Sequence, residues 1–415
     1  MPTPGKAAAR TGTRGRPPKP LFRRPRREAR RGLAQLLCAL GGFGLGLLAA
    51  AVDGGPQVGT DRAVGLVFTI GFGVISLVSI IYSMLFLVVQ FSASAFSPRL
   101  VLFRDAPIVR RTFAFAIGVF VFCVTAGLAT GARETVSASL PLVAVLLALV
   151  ALGFMRALQT RAFASIQLAH SLAAIAGRAR RVTDVLYTEP YRAREPPPGP
   201  GPRSGPVVTV RWGHGPAVFQ QVDVAALVTA AGKHDSVVVL RPAIGDTLFA
   251  GTVLAEIDGP LPERVLRAAV LTGRERAFAQ DTELPFRLLA DIALRALSPA
   301  VNDPATAAQA LDHLEDLLIR LADRDLDARR VTDGQGAVRV VVTLPGWERL
   351  VRTALDDLMV SATGSPLVLA RLRAALGRLL RACPGPRRPM IEARLRWVEA
   401  RGREHHPLFW DPLPP

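Results

Sequence analysis

The densest group of side chains that could do chemistry lies between Thr272 and Ala307, where acids, arginines and an amide follow one another closely. Carboxylate and amide oxygens suit a hard divalent cation, and guanidinium groups suit phosphate. The segment therefore predicts either a pocket for an anionic ligand or divalent ion, or a helix–loop–helix corner held by a structural ion network, which we favour. This candidate polar cluster consists of Arg274, Glu275, Arg276, Asp281, Asp291, Arg295, Ser298, Asn302 and Asp303.

A second pattern is a polar stripe within an apolar run of the chain. Polar residues recur there every seven positions, with one more on the same side of a helix. Polar groups in hydrocarbon need partners or water, so the stripe predicts interhelical hydrogen bonds, which we favour, or a hydroxyl-lined pore. The apolar runs contain no ionisable Asp, Glu, Lys, Arg or His, which argues against a proton-coupled carrier or voltage sensor. The stripe consists of Thr69, Ser76, Ser79, Ser83 and Gln90.

Motifs that would indicate catalysis are missing from the sequence. It contains no GxSxG, HExxH or Walker-type motif, and its histidines are dispersed. The cysteines Cys38, Cys123 and Cys383 are too scattered for a zinc cage. We therefore expect no enzyme, no cofactor and no metal site.

The polar stripe must be positioned by membrane helices. Four uncharged runs at 33–52, 63–89, 112–130 and 136–155 are each long enough for a transmembrane helix. We interpret the first as a retained anchor rather than a cleaved signal peptide, although Arg30 and Arg31 precede it. Within it, Gly42, Gly46 and Ala50 are spaced as on a helix face that another helix approaches closely.

The distribution of charge predicts the orientation of these helices. Of the net charge of +18, residues 1–32 contribute eleven Lys or Arg against one acid, Glu28, and their composition predicts a disordered tail. Arginines also accumulate in the second connection and after the fourth run, so both termini are expected in the cytoplasm. The basic tail should bind anionic lipid headgroups rather than nucleic acid.

The remaining chain predicts a cytoplasmic α+β region. We expect a helical stalk at 156–187, a Pro/Gly linker at 188–206, a small β-rich domain at 207–260, a helical domain at 261–404 and a tail at 405–415. Asp223 is expected to cap a short helix, and Asn302 or Asp303 another with Pro304 in its first turn.

One segment of the β-rich domain reads as a strand, a turn and a second strand, with glycines at the turns. Its spacing of Gly245, Asp246, Gly251, Leu254 and Ile257 resembles the closing hairpin of biotinyl and lipoyl carrier barrels. The resemblance implies a barrel-sandwich-like β unit. It does not extend to cofactor attachment, because Lys233 lies too close to the hairpin to be the carrier lysine.

Several longer segments resemble one family in the same order along the chain. They include AFSPRL (95–100), GDTLFAGTVLA (245–255), ALSPAVNDP (296–304) and GWERLVRTALDDL (346–358). They are similar to the bacterial predicted membrane proteins catalogued as Domain of Unknown Function twenty-two fifty-four. The resemblance implies a multi-pass protein of the bacterial plasma (inner) membrane and no particular activity.

Two functions from different classes agree with these patterns. The first is a homo-oligomeric channel or transport protein, in which the stripe lines a path and the loop residues Ser97, Pro98 and Arg99 couple it to a cytoplasmic regulatory domain. The second is a membrane-anchored scaffold or sensor whose cytoplasmic domain binds a small anionic ligand, an ion or a protein. We favour the first, because anchoring alone requires neither four spans nor a polar stripe.

Overall fold

The computed structural model describes residues 33–52, 54–95, 107–166, 168–191, 207–326 and 328–410. The basic tail (1–32), the loop residues Ser97, Pro98 and Arg99, and most of the predicted linker lie outside these ranges. The described residues form an apolar bundle of helices (33–166) followed by a C-terminal domain (168–410) of helices and two sheets.

The apolar bundle contains four helices: α1 (Leu33–Ala50), α2 (Thr60–Ala95), α3 (Pro107–Thr130) and α4 (Ser139–Ile166). Among the described residues, three stretches are long and apolar enough to cross a membrane, namely Thr60–Met84, Ile108–Thr130 and Ser139–Thr160. They overlap the predicted spans 63–89, 112–130 and 136–155. The span predicted at 33–52 is not confirmed, because the apolar stretch of α1, Ala34–Ala50, is shorter than these three. At about 1.5 Å per residue it is somewhat shorter than a hydrocarbon core of roughly 30 Å.

Glycines bring α1 and α3 into close contact. A Cβ atom added to Gly42 would lie 2.1 Å from the carbonyl oxygen of Gly118, and one added to Gly46 would lie 3.0 Å from that of Phe122. The backbones can approach this closely only because neither glycine has a side chain. The predicted close helix contact at these two positions is confirmed.

The connections α1–α2 and α3–α4 meet at one end of the bundle. There β1 (Gln57–Gly59) pairs antiparallel with β2 (Thr135–Ser137). A further hydrogen bond runs from the Thr60 amide to the Glu134 carbonyl oxygen at 3.2 Å. The starts of α2 and α4 and the end of α3 therefore lie at the same end of the bundle.

The C-terminal domain contains a five-stranded sheet in the order β3-β7-β5-β10-β9 and a three-stranded sheet in the order β6-β4-β8. In the larger sheet only β5 and β10 pair in parallel. Because β10 follows residue 260 and β5 precedes it, this sheet joins the segments predicted as β-rich and helical domains. The strands are β3 (Val207–Arg211), β4 (Ala217–Val222), β5 (Val237–Leu240), β6 (Thr247–Leu248), β7 (Val253–Asp258), β8 (Val270–Gly273), β9 (Ala328–Thr332) and β10 (Val338–Thr343).

The strand–turn–strand segment does not form the predicted closing hairpin. β6 pairs with β4, whereas β7 pairs with β3 and β5, so the two strands belong to different sheets. Gly245 and Gly251 do adopt positive φ angles of 101° and 88°, as tight turns require. The barrel-sandwich-like unit is thus not confirmed, because β6 and β7 each pair with other strands rather than with each other.

Two helices of the C-terminal domain begin at the expected caps. The side chain of Asp223 accepts a hydrogen bond from the Ala226 amide, and that of Asp303 from the Thr306 amide, each at 3.0 Å. Pro304 occupies the first turn after Asp303. The helices are α5 (Leu168–Leu186), α6 (Val224–Lys233), α7 (Glu263–Ala269), α8 (Leu284–Ala296), α9 (Pro304–Ala322), α10 (Trp347–Ser361), α11 (Pro366–Ala382), α12 (Arg388–His405) and α13 (Pro407–Trp410).

The α5 helix, predicted as part of a stalk, is built into the core of the C-terminal domain. Its residues Leu172, Ile175 and Ala179 are fully buried and share one hydrophobic cluster with α8, α9 and the sheets. The apolar positions at intervals of three and four residues thus face protein rather than solvent. Since α4 ends at Ile166 and α5 begins at Leu168, the bundle and this core are adjacent along the chain.

Candidate functional site

The predicted polar stripe lies on the outward face of α2. Val67 and Val78, on the opposite side of the helix, are buried in the core shared with α3 and α4. The side chain of Gln90 lies outside the described part of the structure. The stripe residues Thr69, Ser76, Ser79 and Ser83 are exposed at the surface of the single chain.

Three stripe hydroxyl groups donate hydrogen bonds within α2 itself. Thr69 Oγ1 donates to the Gly65 carbonyl oxygen at 2.7 Å, and Ser79 Oγ to that of Ile75 at 3.0 Å. Ser83 Oγ donates to the Ser79 carbonyl oxygen at 3.1 Å. These bonds are not the interhelical bonds favoured from the sequence. They satisfy the hydroxyl hydrogens and leave oxygen lone pairs on the outward face.

The glycines of α2 distinguish a packed side from an open side. A Cβ atom at Gly71 would lie 2.8 Å from the Cβ of Cys123 in α3. A Cβ atom at Gly65 or Gly73 would meet no atom within 4 Å. The side of α2 that carries the stripe is therefore open to whatever surrounds the single chain.

In the C-terminal domain, part of the predicted polar cluster forms a buried ion pair. Arg276 donates from Nε to Asp281 Oδ2 at 2.6 Å and from Nη2 to Oδ1 at 2.7 Å. The Asp281 side chain is fully buried, and its Oδ1 also accepts the backbone N–H groups of Glu283 and Leu284. These donors satisfy a carboxylate that would otherwise be costly to bury.

Three further residues complete this group, and sequence reasoning did not assign them to it. Arg349 Nη2 donates to Glu283 Oε2 at 2.7 Å and to Asp246 Oδ1 at 2.6 Å. Glu283 Oε2 also accepts from Arg276 Nη2 at 3.0 Å. The available signal was position alone: each of the three lies in a segment that the sequence singles out, namely 245–255, 272–307 and 346–358. We refer to Asp246, Arg276, Asp281, Glu283 and Arg349 together as the ion cluster.

The contacts of the ion cluster favour the charged forms of Glu283 and Arg349, whereas burial raises the pKa of Asp281. Burial alone would raise the pKa of Glu283, but hydrogen bonds from Arg349 and Thr353 outweigh burial and lower the pKa to about 2. Hydrogen bonds to Glu283 likewise raise the pKa of Arg349, against the effect of burial. Gly245 packs against the Arg276–Asp281 ion pair, since a Cβ atom at Gly245 would lie 2.5 Å from Arg276 Nη2.

The other predicted cluster residues lie outside the ion cluster, and three of them have partners of their own around the α8–α9 corner. Asp291 forms an ion pair with Arg287 at 2.9 Å, and Ser298 Oγ donates to the Arg295 carbonyl oxygen at 2.7 Å. Asp303 is the helix cap described above. Asn302 has a positive φ of 46°, and Arg274 and Glu275 are exposed.

The separation of the predicted residues into these groups concerns the predicted pocket for an anionic ligand or divalent ion. Within the described ranges, no three His, Cys, Asp or Glu side chains are grouped so that they could hold a metal ion. In the ion cluster both arginines are already bound to carboxylates. The arrangement has the contacts of a structural network, but of the predicted residues it includes only Arg276 and Asp281, and it extends to Asp246 and Arg349 beyond the predicted helix–loop–helix corner.

Membrane-length apolar helices joined to a domain of helices and sheets define a multi-helix membrane protein. The comparison with known families agrees. The chain belongs to the family described as Predicted membrane protein (DUF2254), whose model matches residues 32–378.

Similar proteins occur in mycobacteria. They include "Uncharacterized protein Mb1321c" of Mycobacterium bovis and "Uncharacterized protein Rv1290c" of Mycobacterium tuberculosis, each 30% identical over 352 residues. The match covers 78% of this chain and 65% of each relative, so the chain spans just under two thirds of their length. No solved structure matches the chain.

Proposed function

We propose that this protein is a homo-oligomeric membrane channel in which the outward face of α2 lines the path. The observation that carries the proposal is the exposure of the stripe hydroxyls on the side of α2 turned away from its own bundle. Polar groups facing lipid are unfavourable, and a ring of copies would turn them toward water. No catalytic step is assigned to the protein.

The proposal includes α1 as a fourth span. Its support is the close contact of α1 with α3 at Gly42 and Gly46, which runs beside a membrane-length helix. The pairing of β1 with β2 supports the same topology, because four antiparallel crossings bring the first and third connections to one side.

The proposed orientation has both termini in the cytoplasm of a bacterial cell. Exposed Arg110, Arg111 and Arg156 lie at the bundle end opposite to β1 and β2, where positive charge marks the cytoplasmic side. In this orientation we propose that the arginines of residues 1–32 attract anionic lipid headgroups of the inner membrane. Each cation would then contribute about 1 kcal/mol of attraction.

Potassium flux from liposomes that contain the purified protein tests the channel. Ser76→Leu replaces a lining hydroxyl by a bulky apolar group, and apolar constrictions exclude water, so flux should fall on the order of tenfold. Gly153→Leu is the matched control, because a Cβ atom at this outward position of α4 meets no atom within 4 Å. Its flux should stay at the native level.

A second candidate function is a membrane-anchored scaffold or sensor. The placement of α5 in the core of the C-terminal domain favours it, since the domain is then fixed directly to its anchor. Absence of flux from a purified, oligomeric sample would remove the channel and leave this second function.

A further inference from the structure

The end of α5 is joined to the ion cluster by one buried hydroxyl group. Tyr187 is fully buried, and its hydroxyl donates to the Pro345 carbonyl oxygen at 3.0 Å and lies 2.9 Å from Thr282 Oγ1. In the sequence Thr282 lies between Asp281 and Glu283, two acids of the ion cluster. Pro345 precedes α10, the helix that carries the cluster residue Arg349. The hydroxyl thus connects α5 with both sides of the cluster.

The residues that follow α5 are also held by the C-terminal domain. The Asp325 amide donates to the Glu189 carbonyl oxygen at 2.9 Å, and the Tyr191 amide donates to that of Asp323 at 2.6 Å. The Arg387 guanidinium lies 4.4 Å from the centre of the Tyr191 ring. These contacts attach the end of α5 to the C-terminal domain. A displacement of the domain at this point must therefore either break the contacts or move α5.

The other end of α5 leads directly to the membrane bundle. α5 begins at Leu168, two residues after the end of α4, and Leu172 and Ile175 are fully buried in the C-terminal core. Burial also raises the pKa of Tyr187, so its hydroxyl keeps the hydrogen that it donates. A packed helix of this kind can transmit a displacement between its two ends.

We propose that Tyr187 is the positioning residue of a coupling joint, through which rearrangement of the ion cluster is carried along α5 to α4. The joint regulates the conducting path along α2, and in this respect it rests on the function proposed above. It gives the C-terminal domain a defined route to the membrane helices.

Hydrogen–deuterium exchange of the full-length protein in lipid nanodiscs tests the joint. Tyr187→Phe removes the shared hydroxyl and should raise amide exchange about fivefold in α5 and in the last part of α4 before its final turns (residues 155–160). Tyr191→Phe is the matched control, because it removes a phenolic hydroxyl while keeping the ring beside Arg387. It should leave exchange in α4 unchanged.

A second variant keeps the proposal testable if Tyr187→Phe does not fold. Thr282→Val removes one of the two contacts of the hydroxyl, leaves the bond to Pro345, and should raise exchange in the same segments by a smaller factor. An increase confined to residues 280–283, with α4 unchanged, overturns the joint. The two proposals fail separately. Native flux together with exchange raised only at residues 280–283 contradicts the joint and leaves the channel. Increased α4 exchange without flux contradicts the channel and leaves only the mechanical connection from the ion cluster to α4.

Discussion

Among single residues, Glu283 illustrates how a buried charge is retained. Its side chain is 7% exposed, yet Arg276, Arg349 and Thr353 all donate to it. Removing the carboxylate charge leaves both guanidinium groups with fewer partners, and that is costly inside a protein. The stability of the C-terminal domain should therefore depend on the ionisation of this residue.

Acid should weaken the C-terminal domain through Glu283. Its pKa is about 2 in the folded protein, against about 4.3 in an unfolded chain. The stabilisation is complete above pH of about 4.3 and is lost as the pH falls toward 2, a change of up to about 3 kcal/mol. Glu283→Gln should lower stability at neutral pH and flatten the loss on acidification.

Urea unfolding between neutral pH and about pH 3 measures this dependence, with tryptophan fluorescence as the signal. All four tryptophans, Trp212, Trp347, Trp397 and Trp410, lie in the C-terminal domain. Glu263→Gln is the control, because Glu263 pairs with Arg267 at the surface and should keep the native pH profile. Equal slopes for the native protein and Glu283→Gln would show that Glu283 does not carry the acid sensitivity.

The elements differ in how far their sequence predicts them. Hydrophobic length and capping residues act locally, so the three long apolar helices and the caps at Asp223 and Asp303 follow from the sequence. Pairing of β10 with β5 joins distant segments, and the bond between Arg349 and Glu283 spans 66 positions. Such contacts depend on the complete fold, which is why the closing hairpin was predicted wrongly and Arg349 was missed.

At the level of helix packing, Gly42 should determine the association of α1 with α3. Gly42→Leu puts a side chain where a Cβ atom would already be 2.1 Å from the Gly118 carbonyl oxygen. We expect a loss of about 1–3 kcal/mol, measured as a lower Tm of the detergent-solubilised protein. Gly41→Leu is the neighbouring control, since a Cβ atom there meets nothing within 4 Å. An equal decrease for both variants would argue against a specific α1–α3 contact.

At the level of the whole molecule, the chain combines the exposed polar stripe of α2 with a C-terminal domain that α5 joins to the membrane helices. The stripe was predicted from its spacing, but its direction was not, because spacing alone does not tell which side of α2 meets α3 and α4. The structure turns the stripe outward, and three of its hydroxyls donate hydrogen bonds within α2 itself. The proposed channel follows if several copies bring these faces together around water.

Water access to the stripe is the most direct test of that arrangement. In a background with Cys38, Cys123 and Cys383 replaced by alanine, Ser76→Cys and Leu152→Cys each place one thiol on an outward helix face, of α2 and α4 respectively. A thiol reacts as the thiolate, which requires water. In liposomes, a membrane-impermeant maleimide should therefore label Ser76→Cys at least about tenfold faster than Leu152→Cys. Equally slow labelling of both would place the stripe in lipid or in a dry interface and contradict the channel.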